Sequence, residues 1–221
     1  MPTAKKIAFY GGSFDPPHAG HAAILQALNK ELALDQILLV PTGQAPHKSR
    51  VLSLPEQRVA MAQLAFGKLP QVQISRAEID SPGPHYTIET LERLEAQAAQ
   101  PIDWYLVLGA DQLAAITTWR RWQELLSKVC VVLADRALQP EQSAQLAANI
   151  ALCPRLLQLK TPIPLVSSTQ IRAWAATNLC RLANAEDNRT LEESSVQLLE
   201  MPVLRYMVAH RLYGSNPNTA P

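Results

Sequence analysis

The sequence predicts a doubly wound parallel α/β sheet, with helices on both faces and a small helical part at the C-terminus. Three observations carry this. Apolar runs rich in Ile, Leu and Val, such as Gln36–Pro41 (QILLVP) and Val129–Ala134 (VCVVLA), read as parallel strands buried on both faces. Segments whose apolar residues recur every three or four positions alternate with these runs, and nothing repeats. The first run, residues 6–10 (KIAFY), passes through a Gly-Gly turn directly into the first helical segment. A chain of 221 residues, 48% of them apolar, can bury an adequate core within one domain.

The turn is residues 11–21, GGSFDPPHAGH, and the helix after it is marked by Ile24, Leu25, Leu28 and Leu32. Gly11 and Gly12 let the backbone approach a ligand closely, and a helix N-terminus with free N–H groups suits phosphate. His18 and His21, three residues apart at that terminus, share one helix face and can point at one anion. After the Gln36–Pro41 strand, residues 42–54 form a polar loop at the strand's carboxyl end, carrying Thr42, His47, Lys48 and Arg50. Pro55 opens the next helix, Pro55–Phe66, with Val59, Met61, Leu64 and Ala65 as its apolar positions. A short strand follows at 72–75 and a breaker at 81–84 (SPGP). The helix of residues 86–99 places His85, Tyr86 and Thr87 at another N-terminus, with Thr87 as its cap.

Residues 103–108 (DWYLVL) form the next strand and end in Gly109-Ala110-Asp111, a turn of nucleotide-contact type. Trp119 and Trp122 fall on a helix after it, and the strand Val129–Ala134 closes on Asp135 and Arg136. A helix over 139–152 and a strand at 156–159 complete the alternation. Ser167 and Gln170 then form a capping box that opens a helix through Ala176. Ser167, Ser168, Thr169 and Arg172 together offer hydroxyls and one fixed charge to a polyphosphate. Residues 178–195 read as a polar loop, and 202–213 as a closing amphipathic helix.

The charge balance, 20 basic against 19 acidic residues, argues against a protein held to nucleic acid mainly by a basic surface and leaves local phosphate binding open. No run reaches membrane-spanning length and no signal-peptide core is present, so a cytoplasmic protein is expected. Three cysteines, Cys130, Cys153 and Cys180, lack metal-ligand spacing, and no metal-ligating residues are assigned. A Walker A sequence and Ser-His-Asp or Cys-His arrangements are also lacking. What the chain offers instead is neutral or positive donors, which suit in-line transfer at phosphorus, where a protein positions substrates and stabilises charge.

GGSFDPPHAGH resembles the signature of the HxGH nucleotidyltransferase superfamily, and SSTQIR (167–172) resembles its second motif. PHK (46–48), PHYTIETL (84–91), LGADQL (108–113) followed by TW (118–119), and a closing RLY (211–213) narrow the resemblance to the bacterial nicotinate-mononucleotide adenylyltransferases, over nearly the whole chain. The resemblance implies a Rossmann-like fold with a catalytic core at 5–176 and a helical extension at 177–215, within a single domain over 1–221. It implies transfer of adenylyl from ATP to nicotinate mononucleotide, giving deamido-NAD and pyrophosphate with Mg²⁺ assisting. His18, His21 and Arg172 would be catalytic. Gly11, Gly12, Ser13, Phe14, Gly109, Asp111, Ser168 and Thr169 would join them in binding ATP. Thr42, His47, Lys48, Tyr86, Thr87, Asp111, Trp119, Arg120 and Arg136 would bind the mononucleotide, its ring against Trp119 and its carboxylate on backbone N–H groups near Thr87 and Arg120. No nucleic-acid or membrane partner is implied, and a homo-oligomer is compatible with the sequence.

Three departures from the family's pattern stand out: Ser13 replaces a common threonine, Arg136 lacks the usual Pro-Gly after it, and the 178–195 link is long. Rival readings are phosphopantetheine or nicotinamide-mononucleotide adenylyltransferase, cytidylyltransferases, and a non-catalytic nucleotide-binding regulator. Trp119 with PHYTIETL disfavours a pantetheine arm, and the intact His18, His21 and Arg172 disfavour simple binding.

Overall fold

The computed structural model describes residues 3–43, 52–134, 140–183 and 198–214, with the side chains of 140–142 and 179–183 outside the description. Six parallel strands form one sheet: β1 (Lys5–Gly12), β2 (Gln36–Pro41), β3 (Val72–Ile74), β4 (Ile102–Gly109), β5 (Val129–Ala134) and β6 (Leu156–Gln158). Their order across the sheet is β3-β2-β1-β4-β5-β6, so the direction of winding reverses between β1 and β4. The carboxyl ends of those two strands border the crevice where such sheets take ligands. Phe9 pairs with Leu106 across that boundary, and Gly12 with Pro41 on the other side.

The period-2 alternation of each strand distributes its side chains between two cores. Ile7, Phe9, Leu38, Val40, Leu106 and Leu108 face one way, toward Ile88 and Leu91 of α3 (Thr87–Ala96) and Leu125 and Leu126 of α5 (Trp122–Lys128). Ala8, Tyr10, Leu39, Val107 and Val132 face the other, toward Ile24, Leu25 and Leu28 of α1 (Ala19–Glu31) and Ala62 and Phe66 of α2 (Pro55–Phe66). Both central runs predicted as fully buried are so: every residue of β5 is buried, and all of β2 but Gln36. Two further helices, α4 (Ala110–Ala114) and α6 (Pro140–Ile150), pack together on the first face, with Asn149 donating to the carbonyls of Leu113 and Ala114. A third core joins Met61 to Ile171 and Ala175 of α7 (Ser168–Ala183) and to Val203, Leu204 and Met207 of α8 (Met201–Ala209).

Several elements differ from the sequence reading. The buried face of α2 is Arg58, Met61, Ala62 and Phe66, whereas Leu64 is exposed. Arg58 is 1% exposed because its guanidinium donates to the carbonyls of Ser53 and Ser13, partners that periodicity does not reveal. Trp119 lies on no helix: a 3₁₀ turn at Ile116–Thr118 ends before it, and its backbone is extended. The cap of α3 is Tyr86, which leaves Thr87 as the first helical residue. The predicted loop at 178–195 begins too early, since α7 continues to Ala183. The closing helix ends at Ala209, followed by a turn in which Arg211 and Tyr213 take left-handed φ of 50° and 61°. Among the described residues no helix is long and apolar enough to cross a membrane.

Candidate active site

The site begins where β1 stops. Beyond Gly12 the chain reaches Phe14, fully buried at a φ of 46°, and turns into α1. His18 is the N-cap of α1 and His21 its third residue, so the two form a capping box: the His18 N–H donates to Nδ1 of His21 at 3.1 Å. That bond has a chemical consequence. Nδ1 is an acceptor, so the proton of neutral His21 sits on Nε2. The two rings stack with centroids 3.7 Å apart, and Phe14 backs His21 at 4.9 Å. Phe14 therefore supports the histidine, and its buried side chain leaves only its main chain for a nucleotide.

The second motif arrives at the same place. Ser167 and Gln170 make the predicted capping box, Gln170 N–H donating to Ser167 Oγ at 3.2 Å and Ser167 N–H to Gln170 Oε1 at 3.0 Å. This frees the next residues to reach across. Ser168 Oγ donates to the Pro16 carbonyl at 2.9 Å, and Arg172 donates from Nη1 to the Asp15 carbonyl at 2.8 Å and from Nη2 to Thr169 Oγ1 at 2.9 Å. The two predicted phosphate sites, more than 150 residues apart in sequence, thus meet on the loop that follows β1.

A cavity of about 370 Å³ opens at the end of the same strand. Gly11, Gly12 and Thr42 line it from β1 and β2, Asp111 from the start of α4, and Tyr86, Thr87, Trp119 and Arg120 from around α3. Seven of the predicted contacts, namely Gly11, Gly12, Thr42, Tyr86, Thr87, Trp119 and Arg120, therefore meet there with Asp111 as the eighth. Arg120 lies 4.8 Å over the Tyr86 ring and pairs with Glu89 at 2.9 Å. Tyr86, the cap of α3, and Thr87, its first residue, both line the cavity, so the start of this helix, where the macrodipole favours negative charge, borders it. Gly109 stands beside the cavity as the N-cap of α4, its N–H donating to Gln112 at 3.1 Å, and Ser13 is tied by its carbonyl to Arg58. His47, Lys48, Arg50 and Arg136 lie outside the described residues.

The structure adds Glu78, His85 and Gln112 to the lining. Glu78 is 7% exposed, and its carboxylate accepts from the Gly43 N–H at 3.2 Å and the Thr90 hydroxyl at 3.0 Å. No spacing in the sequence signals a contact between residues 43, 78 and 90. Among the described residues no group of three His, Cys, Asp or Glu could hold a metal ion.

The cytidylyltransferase-like family model matches residues 9–174. A protein of Albidiferax ferrireducens described as a probable nicotinate-nucleotide adenylyltransferase is 39% identical over 95% of this chain and 98% of its own. One from Methylibium petroleiphilum with the same description is 34% identical over 95% and 93%. In structure, the chain is similar to the Plasmodium falciparum nicotinic acid mononucleotide adenylyltransferase complexed with NaAD, with a TM-score of 0.71 at 17% identity, covering 95% of this chain and 97% of that one.

Proposed function

This chain belongs to the nicotinate-nucleotide adenylyltransferases of the cytidylyltransferase-like family, and on that premise we propose that it transfers the adenylyl group of ATP to nicotinate mononucleotide, releasing pyrophosphate. The observation that carries the reading is the meeting of His21, Ser168 and Arg172 on the loop after β1, whose Gly11 and Gly12 also line an aromatic pocket beside the start of α3.

The acceptor's own phosphate is the nucleophile, attacking the α-phosphorus of ATP in line, so the protein supplies position and charge stabilisation. His21 donates from Nε2 to the α-phosphate oxygens, and stacked His18 holds it there. Ser168, Thr169 and Arg172 take the departing β- and γ-phosphates. Gly11, Gly12, Ser13 and Gly109 give the nucleotide close access to the backbone. Trp119 stacks on the pyridine ring, whose carboxylate meets the N–H groups at Thr87 and the charge of Arg120. Thr42, His47 and Lys48 serve the mononucleotide phosphate, Asp111 its ribose, and Arg136 a further contact. Magnesium enters with ATP as part of the substrate, since this ion keeps its waters and binds mainly through phosphates. A cytoplasmic enzyme of one domain over 1–221 is part of the same reading.

The test is the His21→Ala variant assayed beside the wild type with MgATP and nicotinate mononucleotide. Wild type releases one pyrophosphate per dinucleotide formed, and the variant loses about 10² to 10³ in turnover while melting within a few degrees of wild type. Near-normal turnover would remove His21 from the chemistry. No product from wild type would overturn the assigned reaction.

A further inference from the structure

Asp15 is fully buried in the loop between β1 and α1, and a buried carboxylate survives only with donors around it. One oxygen accepts from the Ser53 N–H at 3.3 Å, and the other accepts from the hydroxyl of Tyr213 at 2.5 Å. Tyr213 comes from the turn after the last helix, 198 residues away in sequence. Its ring lies against Met61 of α2, with the hydroxyl 3.9 Å from the sulfur. Its backbone sits at a φ of 61°, two residues after Arg211 at 50°, a conformation that non-glycine residues keep only where surrounding contacts fix it. Leu212, buried between them, supplies one such contact and the Asp15 bond supplies another.

The same loop carries the groups that face phosphate. The carbonyl of Asp15 receives Arg172 and that of Pro16 receives Ser168. The carbonyl of Ser13, two residues before Asp15, receives buried Arg58. Asp15 is thus the residue at which the C-terminal turn, the segment before α2 and the N-terminus of α7 all meet. Its side chain is oriented from one side and its carbonyl holds the guanidinium on the other.

We infer that Tyr213 is a positioning residue for adenylyl transfer, which fixes Asp15 and through its carbonyl sets Arg172 against the leaving phosphates. This rests on the adenylyltransferase reading above. Burial and the nearby Asp15 carboxylate push the phenol of Tyr213 well above its ordinary range, so it stays a donor at every working pH. The hydroxyl of Tyr213 meets Asp15 and Met61, and the carbonyl of Asp15 leads to Arg172, so its effect is expected on the chemical step rather than on binding of the mononucleotide.

Tyr213→Phe keeps the ring and removes the hydroxyl. Assayed at least 15 °C below its own melting point, it is expected to show a kcat about tenfold below wild type, with KM for nicotinate mononucleotide within twofold. Tyr206→Phe, on α8, leaves both unchanged. If Tyr213 acts through Asp15, adding Tyr213→Phe to Asp15→Asn costs far less than tenfold, because coupled residues are non-additive. A Tyr213→Phe kcat within twofold of wild type, or full additivity with Asp15→Asn, overturns the inference. A wild-type protein that releases no pyrophosphate overturns the reaction itself, a separate and earlier failure.

Discussion

Replacing Gly43 with alanine tests how closely the acceptor pocket is built. A methyl carbon at this position would lie 2.2 Å from the Glu78 carbonyl oxygen and 2.6 Å from the His85 ring. Real contacts of this kind do not fall below 3.0 Å, so one wall must retreat by about 0.8 Å (3.0 − 2.2). The carbonyl belongs to the backbone and cannot swing aside. His85 is held in turn, its Nε2 3.0 Å from the Ser81 carbonyl. Gly43 has no left-handed φ, so the cost is overpacking alone, about 1–3 kcal/mol. For a chain of this size that lowers Tm by about 2–12 °C. Both displaced residues line the cavity, and a misplacement of this order reduces kcat/KM for nicotinate mononucleotide by about 10- to 100-fold. Gly83→Ala is the matched control. It sits at a φ of 92° with nothing within 4 Å, so it costs about 1–2 kcal/mol of backbone strain and leaves the kinetics alone. Scanning calorimetry and steady-state kinetics on both variants decide the matter. Gly43→Ala with wild-type Tm and wild-type kcat/KM would refute the reasoning.

Two further outcomes follow from the same geometry. Trp119→Ala removes the half-buried ring at the cavity wall and should raise KM for nicotinate mononucleotide about tenfold, with KM for ATP unchanged in the same assay. In alkaline solution the half-buried phenols of Tyr105 and Tyr213, the buried Cys130 and the half-buried Cys153 bear on the stability: desolvation raises each above its ordinary value. Each raised group favours the folded state below its unfolded pKa, and that contribution is lost as pH rises from there toward the folded value, because the unfolded chain releases protons first. Tm should therefore fall progressively above pH 9, and Tyr213→Phe should flatten the fall above pH 10 in a pH series of thermal melts.

Much of this was legible in the chain because it is local. The runs that became β2 and β5 are apolar on both faces, which only a central parallel strand requires. The capping box at Ser167 and Gln170 and the proline that opens α2 need three or four residues to declare themselves. What escaped depends on distant partners. Arg58 faces inward onto two carbonyls, and one of them belongs to Ser13, 45 residues away. Glu78 enters the pocket through Gly43 and Thr90, and Asp15 acquires meaning only when Tyr213 reaches it. Trp119 and Trp122 fit a helix in sequence, but the chain makes a 3₁₀ turn at Ile116–Thr118 and leaves Trp119 extended, with its ring in the cavity wall. The polar residues after Ala176 look like a loop in composition, yet α7 carries them to Ala183.

The assignment of the nicotinate carboxylate to the N-terminus of α3 is what would separate this enzyme from others using the same phosphate chemistry. Its most direct test is pyrophosphate release with MgATP and, in parallel, nicotinate mononucleotide, nicotinamide mononucleotide and phosphopantetheine. The account predicts rapid release with the acid, a kcat/KM at least about tenfold lower with the amide, which lacks the charge that helix-start N–H groups favour, and none with phosphopantetheine. Equal efficiency on the acid and the amide would contradict it.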